Sequence, residues 1–200
     1  MNPVLLDFPD RFESEHLIIR APRAGDGPAL NAGVIESLPE LRHWLPWAQH
    51  APSVAESETL VRRSHARWIL RDDLWLLLFC KNGAMDGAME GASEGASEGE
   101  FIGCSGLHRM DWTARTFEIG YWLRTSQCGR GFMSEAVHAI TGFAFDVLRA
   151  RRVEIRADAR NVRSWRVAER CGFELEGTLR NESVDADNVA RDLRIYSRIC

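Results

Sequence analysis

Residues 116–137 read TFEIGYWLRTSQCGRGFMSEAV, and the fold turns on how this stretch divides. Thr116 to Leu123 is short and rich in aromatic and branched residues, which predicts a strand. SQCGRG follows as a loop, and its glycines at 129 and 131 permit close backbone approach and unusual dihedrals. From Ser134 onward Ala136, Val137, Ile140, Phe143, Ala144, Val147 and Leu148 keep helical spacing. A loop opening directly onto a long helix offers unpaired N–H groups and the positive end of the helix dipole, a setting that suits a pyrophosphate. Arg130 adds a positive charge there. A plain glycine-containing turn with Ser134 as helix cap accounts for the same residues. Two well-known phosphate loops are excluded. A Walker loop needs a lysine that is absent here, and the dinucleotide fingerprint needs a third glycine.

Working outward, Val153 to Ala157 predicts a strand and Val162 to Cys171 a short helix, with Gly172 and Phe173 as its C-terminal cap and apolar partner. Strands near Glu174–Arg180 and Ala190–Arg198 close the chain. Upstream, Glu13 to Arg20 predicts a first strand, broken by Pro22, Gly25 and Gly27. Pro28 then opens a helix to about Glu36. Ser53 and Glu56 fit a capping box for a helix running to about Leu70. Leu74 to Phe79 (LWLLLF) is apolar throughout and short, hence a buried strand, and Phe101 to Gly106 predicts another. The order β-α-α-β-β-β-α-β-α-β-β implies an α/β (α+β) protein with a mixed, mostly antiparallel central sheet flanked by helices. Residues 83–100 (GAMDGAMEGASEGASEGE) are small and acidic, too poor in large aliphatics to repay ordering entropy. They read as a flexible low-complexity loop inserted in one domain spanning residues 1–200, with an acidic tether for a basic partner as the alternative.

Composition narrows the class. Apolar residues at 45% and charged residues at 27% fit a globular chain and exclude a mainly disordered one or a fibre. The net charge of −4 and the lack of a basic block argue against nucleic acid as the main partner. No apolar run is long enough to span a bilayer, and residues 1–10 do not read as a secretion signal. The five cysteines form no CxxC pair, so neither a disulfide framework nor a zinc site is expected and a reducing cytoplasm is the default. The histidines show no metal spacing, so no metal is expected.

The strand EIGYWL, the loop CGRGFMSEAV, the opening HLIIRAP and the block RADARNVRSWRVAERCGFELEGTLR at 156–180 together resemble the GCN5-related N-acetyltransferase (GNAT) family, in particular its RimJ/RimL-like ribosomal-protein N-terminal branch. The likeness covers nearly the whole chain. Asn161-x-x-Ser164 followed by a helix and CGF–EG is its most specific part. The resemblance implies a GNAT-like sheet, acetyl-CoA as co-substrate and a primary amine as acceptor, attacked directly in a ternary complex. The acceptor would be a peptide N-terminus or a small molecule. It assigns acetyl-CoA contacts to Cys128, Gly129, Arg130, Gly131, Phe132, Met133 and Ser134, and pantetheine contacts to the backbone of Tyr121, Trp122 and Leu123. The family loop is written [QR]-x-x-G-x-[GA]. Aligned on Gly131, this chain has Cys128 first and Met133 last, with Gln127 one residue early. Glu118 occupies the position that accepts the amine proton through water, or is a solvent-facing strand residue. Asn161 would contact pantetheine and Ser164 would protonate the departing thiolate, and both residue types also favour helix starts. Tyr196 is a weaker candidate acid. Trp44 and Trp47 would line the acceptor cleft or join the core. A monomer or homodimer is expected. Two alternatives stay open: an acyl-CoA-binding regulatory module without turnover, and a nucleotide-phosphate enzyme.

Overall fold

A computed structural model describes residues 2–82, 97–185 and 188–200. One eight-stranded sheet organises them. In chain order the strands are β1 (Arg11–Glu13), β2 (Leu17–Arg20), β3 (Leu74–Lys81), β4 (Glu98–Asp111), β5 (Thr116–Leu123), β6 (Arg152–Asp158), β7 (Glu174–Val184) and β8 (Ala190–Ile199). The helices are α1 (Gly27–Leu41), α2 (Val54–Leu70), α3 (Phe132–Asp146) and α4 (Val162–Arg170). The spatial order is β1-β2-β3-β4-β5-β6-β8-β7. Every pairing is antiparallel except β5 with β6, which the α3 crossover makes parallel.

The apolar run of β3 is buried on both faces, as its composition requires. Alternation sends Leu76, Leu78 and Cys80 to the layer under α3 and α4, while Leu77 and Phe79 join Leu30, Val34 and Leu38 of α1. Leu77 has no solvent exposure. Leu77→Ala should therefore cost about 2–5 kcal/mol of unfolding free energy, read from urea titration, through lost burial and the cavity left behind.

Beyond strands that run further than expected, β4 to Asp111 and β7 to Val184, the structure differs from the sequence-based expectations in four places. The segment expected as one strand from Glu13 is a hairpin. Ser14 and His16 turn it, both held by the Glu135 carboxylate of α3. Helix α1 runs past Glu36 to Leu41 with Pro39 inside, because Leu38 and Leu41 continue its buried stripe. Helix α3 begins at Phe132 rather than Ser134, since Gly131 supplies the left-handed N-cap. The expected loop over 83–100 ends in ordered strand. Ser97 accepts from the Asn82 amide, and Glu98 pairs in register with Lys81. Residues 83–96, which hold the rest of that expectation, lie outside the described residues.

Charged groups tie the layers together. The buried Arg20 guanidinium grips Asp26 before α1 and Glu98 on β4, at 2.7–3.0 Å. Arg152 on β6 makes a two-pronged pair with Glu176 on β7 at 2.6 Å, and Ser197 also donates to that carboxylate. These donors, Arg152 foremost, hold the Glu176 carboxyl down to about 2. A depressed carboxyl stabilises the fold above its unfolded value and loses that contribution as pH falls through its folded value. The stability gap between wild type and Glu176→Gln should accordingly shrink between about pH 4.5 and pH 2. Urea midpoints across that window check this.

Candidate active site

Strands β5 and β6 pair only over Thr116–Glu118 and Arg152–Glu154, and then part. Beyond that point β6 pairs with β8 alone, and β5 with β4 alone. The backbone of β5 from Ile119 onward thus has no strand partner on one side. The Arg124 amide donates to Ile102, so by the alternation of an antiparallel ladder the even positions bond to β4. Tyr121 and Leu123 therefore turn their N–H and C=O groups into the gap, whereas the Trp122 backbone faces β4. Buried backbone groups without partners are costly, so this gap is suited to an extended ligand carrying amides of its own.

The gap leads to the N-terminus of α3. A short 3-10 turn over Thr125–Gln127 precedes Cys128, then Gly129 at φ +81° and Gly131 at φ +86°. The Gly131 N-cap supplies no side chain to the first-turn amides, and Glu135, the acid of that turn, is committed to Ser14 and His16. The amides of Phe132, Met133 and Ser134 precede the first intrahelical bond and remain available as donors, reinforced by the helix dipole. The loop is anchored from outside. Glu36 of α1 accepts from the Ser126 amide and pairs with Arg124, and Ser37 accepts from the Thr125 amide. Although burial opposes it, hydrogen bonding from Ser126 and Arg124 holds the Glu36 carboxyl below its ordinary value. Glu100 of β4 accepts from both Arg124 and Gln127, and Gln127 accepts from Arg130. The Gln127 side chain is thus turned inward as a brace. Cys128 donates its thiol to the Arg124 carbonyl, and Ser134 accepts from Arg170.

Helix α4 closes the other side of the gap. Asn161 is its N-cap, accepting from the Ser164 amide at 3.1 Å. The Tyr121 hydroxyl donates to the Ser164 carbonyl at 2.8 Å, and the Ser164 hydroxyl lies 3.4 Å from the Tyr121 oxygen. Burial pushes the Tyr121 phenol far up, so it stays protonated and able to donate. Tyr196 is fully buried and bonded to Glu169, in the core layer beneath α4.

On the opposite face of the sheet, α1, α2 and strands β3 to β5 enclose a cavity of about 720 Å³. Leu30, Val34, Leu60, Trp47, Trp75 and Trp122 make most of its apolar wall, with Asp73, His108 and Arg67 among its polar groups. Trp47 is half exposed, and its ring centre lies 6.3 Å from that of Trp122. Trp44 does not line the cavity; its carbonyl accepts from Arg191. Glu118 sits beside this space rather than in its wall. It is paired with Arg156 at 3.3 Å and Arg109 at 3.6 Å, and burial raises its carboxyl against the pull of those guanidinium groups.

A strand gap with a glycine-opened helix start at its end thus lies on one side of β5, and a cleft reaches Gly120, Tyr121 and Trp122 from the other. Residues 16–174 match the model of the acetyltransferase (GNAT) domain. The chain belongs to the GNAT family. This GNAT chain is 31% identical over 189 residues to YdaF of Bacillus subtilis (strain 168), which is named provisionally as a ribosomal N-acetyltransferase. The match spans 92% of this chain and 91% of that one. It is 35% identical over 100 residues to the ribosomal-protein-serine acetyltransferase of Escherichia coli (strain K12), covering 50% of this chain and 55% of that protein. Its fold superimposes on RimL, a ribosomal L7/L12 α-N-protein acetyltransferase solved with coenzyme A, at a TM-score of 0.78 and 27% identity, over 93% of this chain and 95% of that one. The protein is an acetyl-CoA-dependent N-acetyltransferase.

Several residues around this candidate site escape a reading of the sequence. Glu36 and Ser37 fall at the expected end of a helix, and Glu100 falls inside a repeat of small acidic residues. The pairing of Asp73 with His108 is unmarked by any local motif. Of the three tryptophans in the cavity wall, the family resemblance named Trp47 and missed Trp75 and the side chain of Trp122.

Proposed function

We propose that this enzyme acetylates the N-terminal α-amine of a protein, binding acetyl-CoA and acceptor together so that the amine attacks the thioester directly. The observation that carries the reading is the meeting of two approaches at β5. The α3 start and the strand gap lie on one side, and the cavity reaches Gly120, Tyr121 and Trp122 from the other. In this reading the pyrophosphate rests on the amides of Gly129 to Met133, with Cys128, Arg130 and Ser134 around it, and pantetheine runs along Tyr121 to Leu123 past Asn161. The tetrahedral oxyanion is met by backbone donors of the gap. Ser164, beside the Tyr121 hydroxyl, protonates the departing thiolate, and Glu118 takes up the amine proton through water. The cavity admits the first residue or two of a chain, and the ribosomal-protein acceptors named for the relatives favour a peptide over a small amine. A reducing cytoplasm suits the five unpaired cysteines. One monomer holds every group used here, and a homodimer would leave the assignment intact.

The inward brace of Gln127, with Cys128 at the family's first loop position, supports the second reading of a regulatory acyl-CoA binder. Thiol release from acetyl-CoA separates the two. Peptides beginning with serine or alanine should release thiol, and the same peptides blocked at the N-terminus should not. Coenzyme A uptake without release for any peptide or for spermidine would establish the binding module instead.

A further inference from the structure

His108 occupies a position that the chemistry above leaves unused. It lies on β4 directly opposite Glu118 in register, on the cavity face, and its ring forms part of the cavity wall. Its Nδ1 is 2.9 Å from Oδ2 of Asp73, the residue before β3. Asp73 is largely buried and also lies 3.6 Å from the Arg67 guanidinium of α2. An ionised carboxylate accepts only, so the Nδ1 of neutral His108 carries the hydrogen and its Nε2 presents a lone pair. Among the described residues Nε2 has no hydrogen-bond partner. The ring edge lies against Gly120 of β5. A Cβ placed on Gly120 would sit 3.2 Å from His108 Cδ2 and 3.5 Å from Nε2. The absence of a side chain at 120 is what lets the imidazole rest over the strand at the point where the cavity reaches it.

We propose that His108, oriented by Asp73, is the base that receives the proton of the acceptor ammonium, with Glu118 behind it. This rests on the acetyl-transfer reading and adds to it the group that touches the amine. The step balances as follows. The ammonium gives one proton to His108 Nε2, and the freed nitrogen pair attacks the thioester carbonyl. The C–N bond forms, the C–S bond breaks with its electron pair leaving on sulfur, and the nitrogen sheds its second proton through water to Glu118 as the amide forms. Ser164 gives the thiolate its proton and is reprotonated by one of the two protons released, and the other leaves to solvent. The charged and titratable groups around the ring are Asp73 from the turn before β3, Arg67 from α2, Glu118 from β5 and Arg109 on β4 itself. Arg156 of β6 reaches Glu118, and Glu56 and His50 line the same cavity. Asp73 fixes the hydrogen on Nδ1 and so leaves the Nε2 lone pair to the cavity.

The test uses the whole chain, acetyl-CoA, and two acceptors: a hexapeptide beginning with serine and 2-phenylethylamine. His108→Ala should lower kcat about a hundredfold, leave coenzyme A affinity unchanged by calorimetry, and abolish the acidic limb of the pH–rate profile. Added imidazole should restore part of the rate. Gly120→Ala keeps an ordinary backbone but crowds the ring, and should lower kcat about tenfold with the thermal midpoint preserved. Asp73→Asn, which no longer fixes the imidazole tautomer, should lower kcat with the acidic limb still present. A His108→Ala enzyme that turns over at the wild-type rate, or one that is slow yet keeps the acidic limb and ignores imidazole, overturns the proposal while the acetyl-transfer reading stands. Wild-type enzyme that releases thiol with neither acceptor overturns both.

Discussion

Ser164→Ala is expected to lower kcat by about a hundredfold, the low end of what a positioned proton donor contributes, while coenzyme A affinity changes less than about threefold. The Ser164 hydroxyl lies 3.4 Å from the Tyr121 oxygen, at the first turn of α4 and on the edge of the strand gap. The Tyr121 hydroxyl is engaged by the Ser164 carbonyl, not by the side chain alone. Removing the Ser164 oxygen therefore leaves the packing of Tyr121 and the capping of α4 by Asn161 in place. On the proposed mechanism thiolate expulsion then loses its proton source, and the cost appears in the chemical step. Single-turnover kinetics with calorimetry on the same preparation checks the split. Equal losses in binding and turnover would make Ser164 a contact for the cofactor and not a donor. Ser164→Cys, which restores a donor of a different acidity, should recover part of the rate.

Gly131→Ala is expected to weaken coenzyme A binding by about tenfold. The glycine sits at φ +86°, and a Cβ there meets nothing within 4 Å, so the penalty is one of backbone conformation and not of space. A non-glycine residue in this region costs about 1–2 kcal/mol. The cheapest relief lets the surface loop turn, which swings the neighbouring peptide planes and takes the Gly131 and Phe132 amides off the helix axis. The anchors at Glu36 and Ser37 lie upstream and do not resist that movement. Calorimetry on the variant measures it. Unchanged affinity, with the strain appearing instead as lost thermal stability, would show that these amides are not where the diphosphate is held.

What the sequence made legible was local. The Ser53–Glu56 capping box is present as read, with both reciprocal hydrogen bonds formed. The uninterrupted apolar run at 74–79 is a strand buried on both faces, and the Gly172 cap ends α4. The strand–loop–helix junction was readable because its three parts are contiguous and each follows from residue type. The parts that bring chemistry together are not contiguous. Tyr121 meets Ser164 across 43 residues, and Asp73 meets His108 across 35. The first depends on how α4 packs beside β5 and the second on how β3 and β4 are placed side by side, which no single stretch specifies. Glu98 and Glu100 were hidden differently. They sit at the end of a run whose composition argues against order, yet Arg20, Arg124 and Gln127 supply the partners that fix them.

The most direct measurement is the position of coenzyme A in crystals of the whole chain. Its diphosphate should lie on the amides of residues 129 to 133. Its sulfur should emerge between Tyr121 and Ser164, facing the cavity across β5. Density for coenzyme A at any other place on the molecule, or none at saturating concentration, would contradict the account.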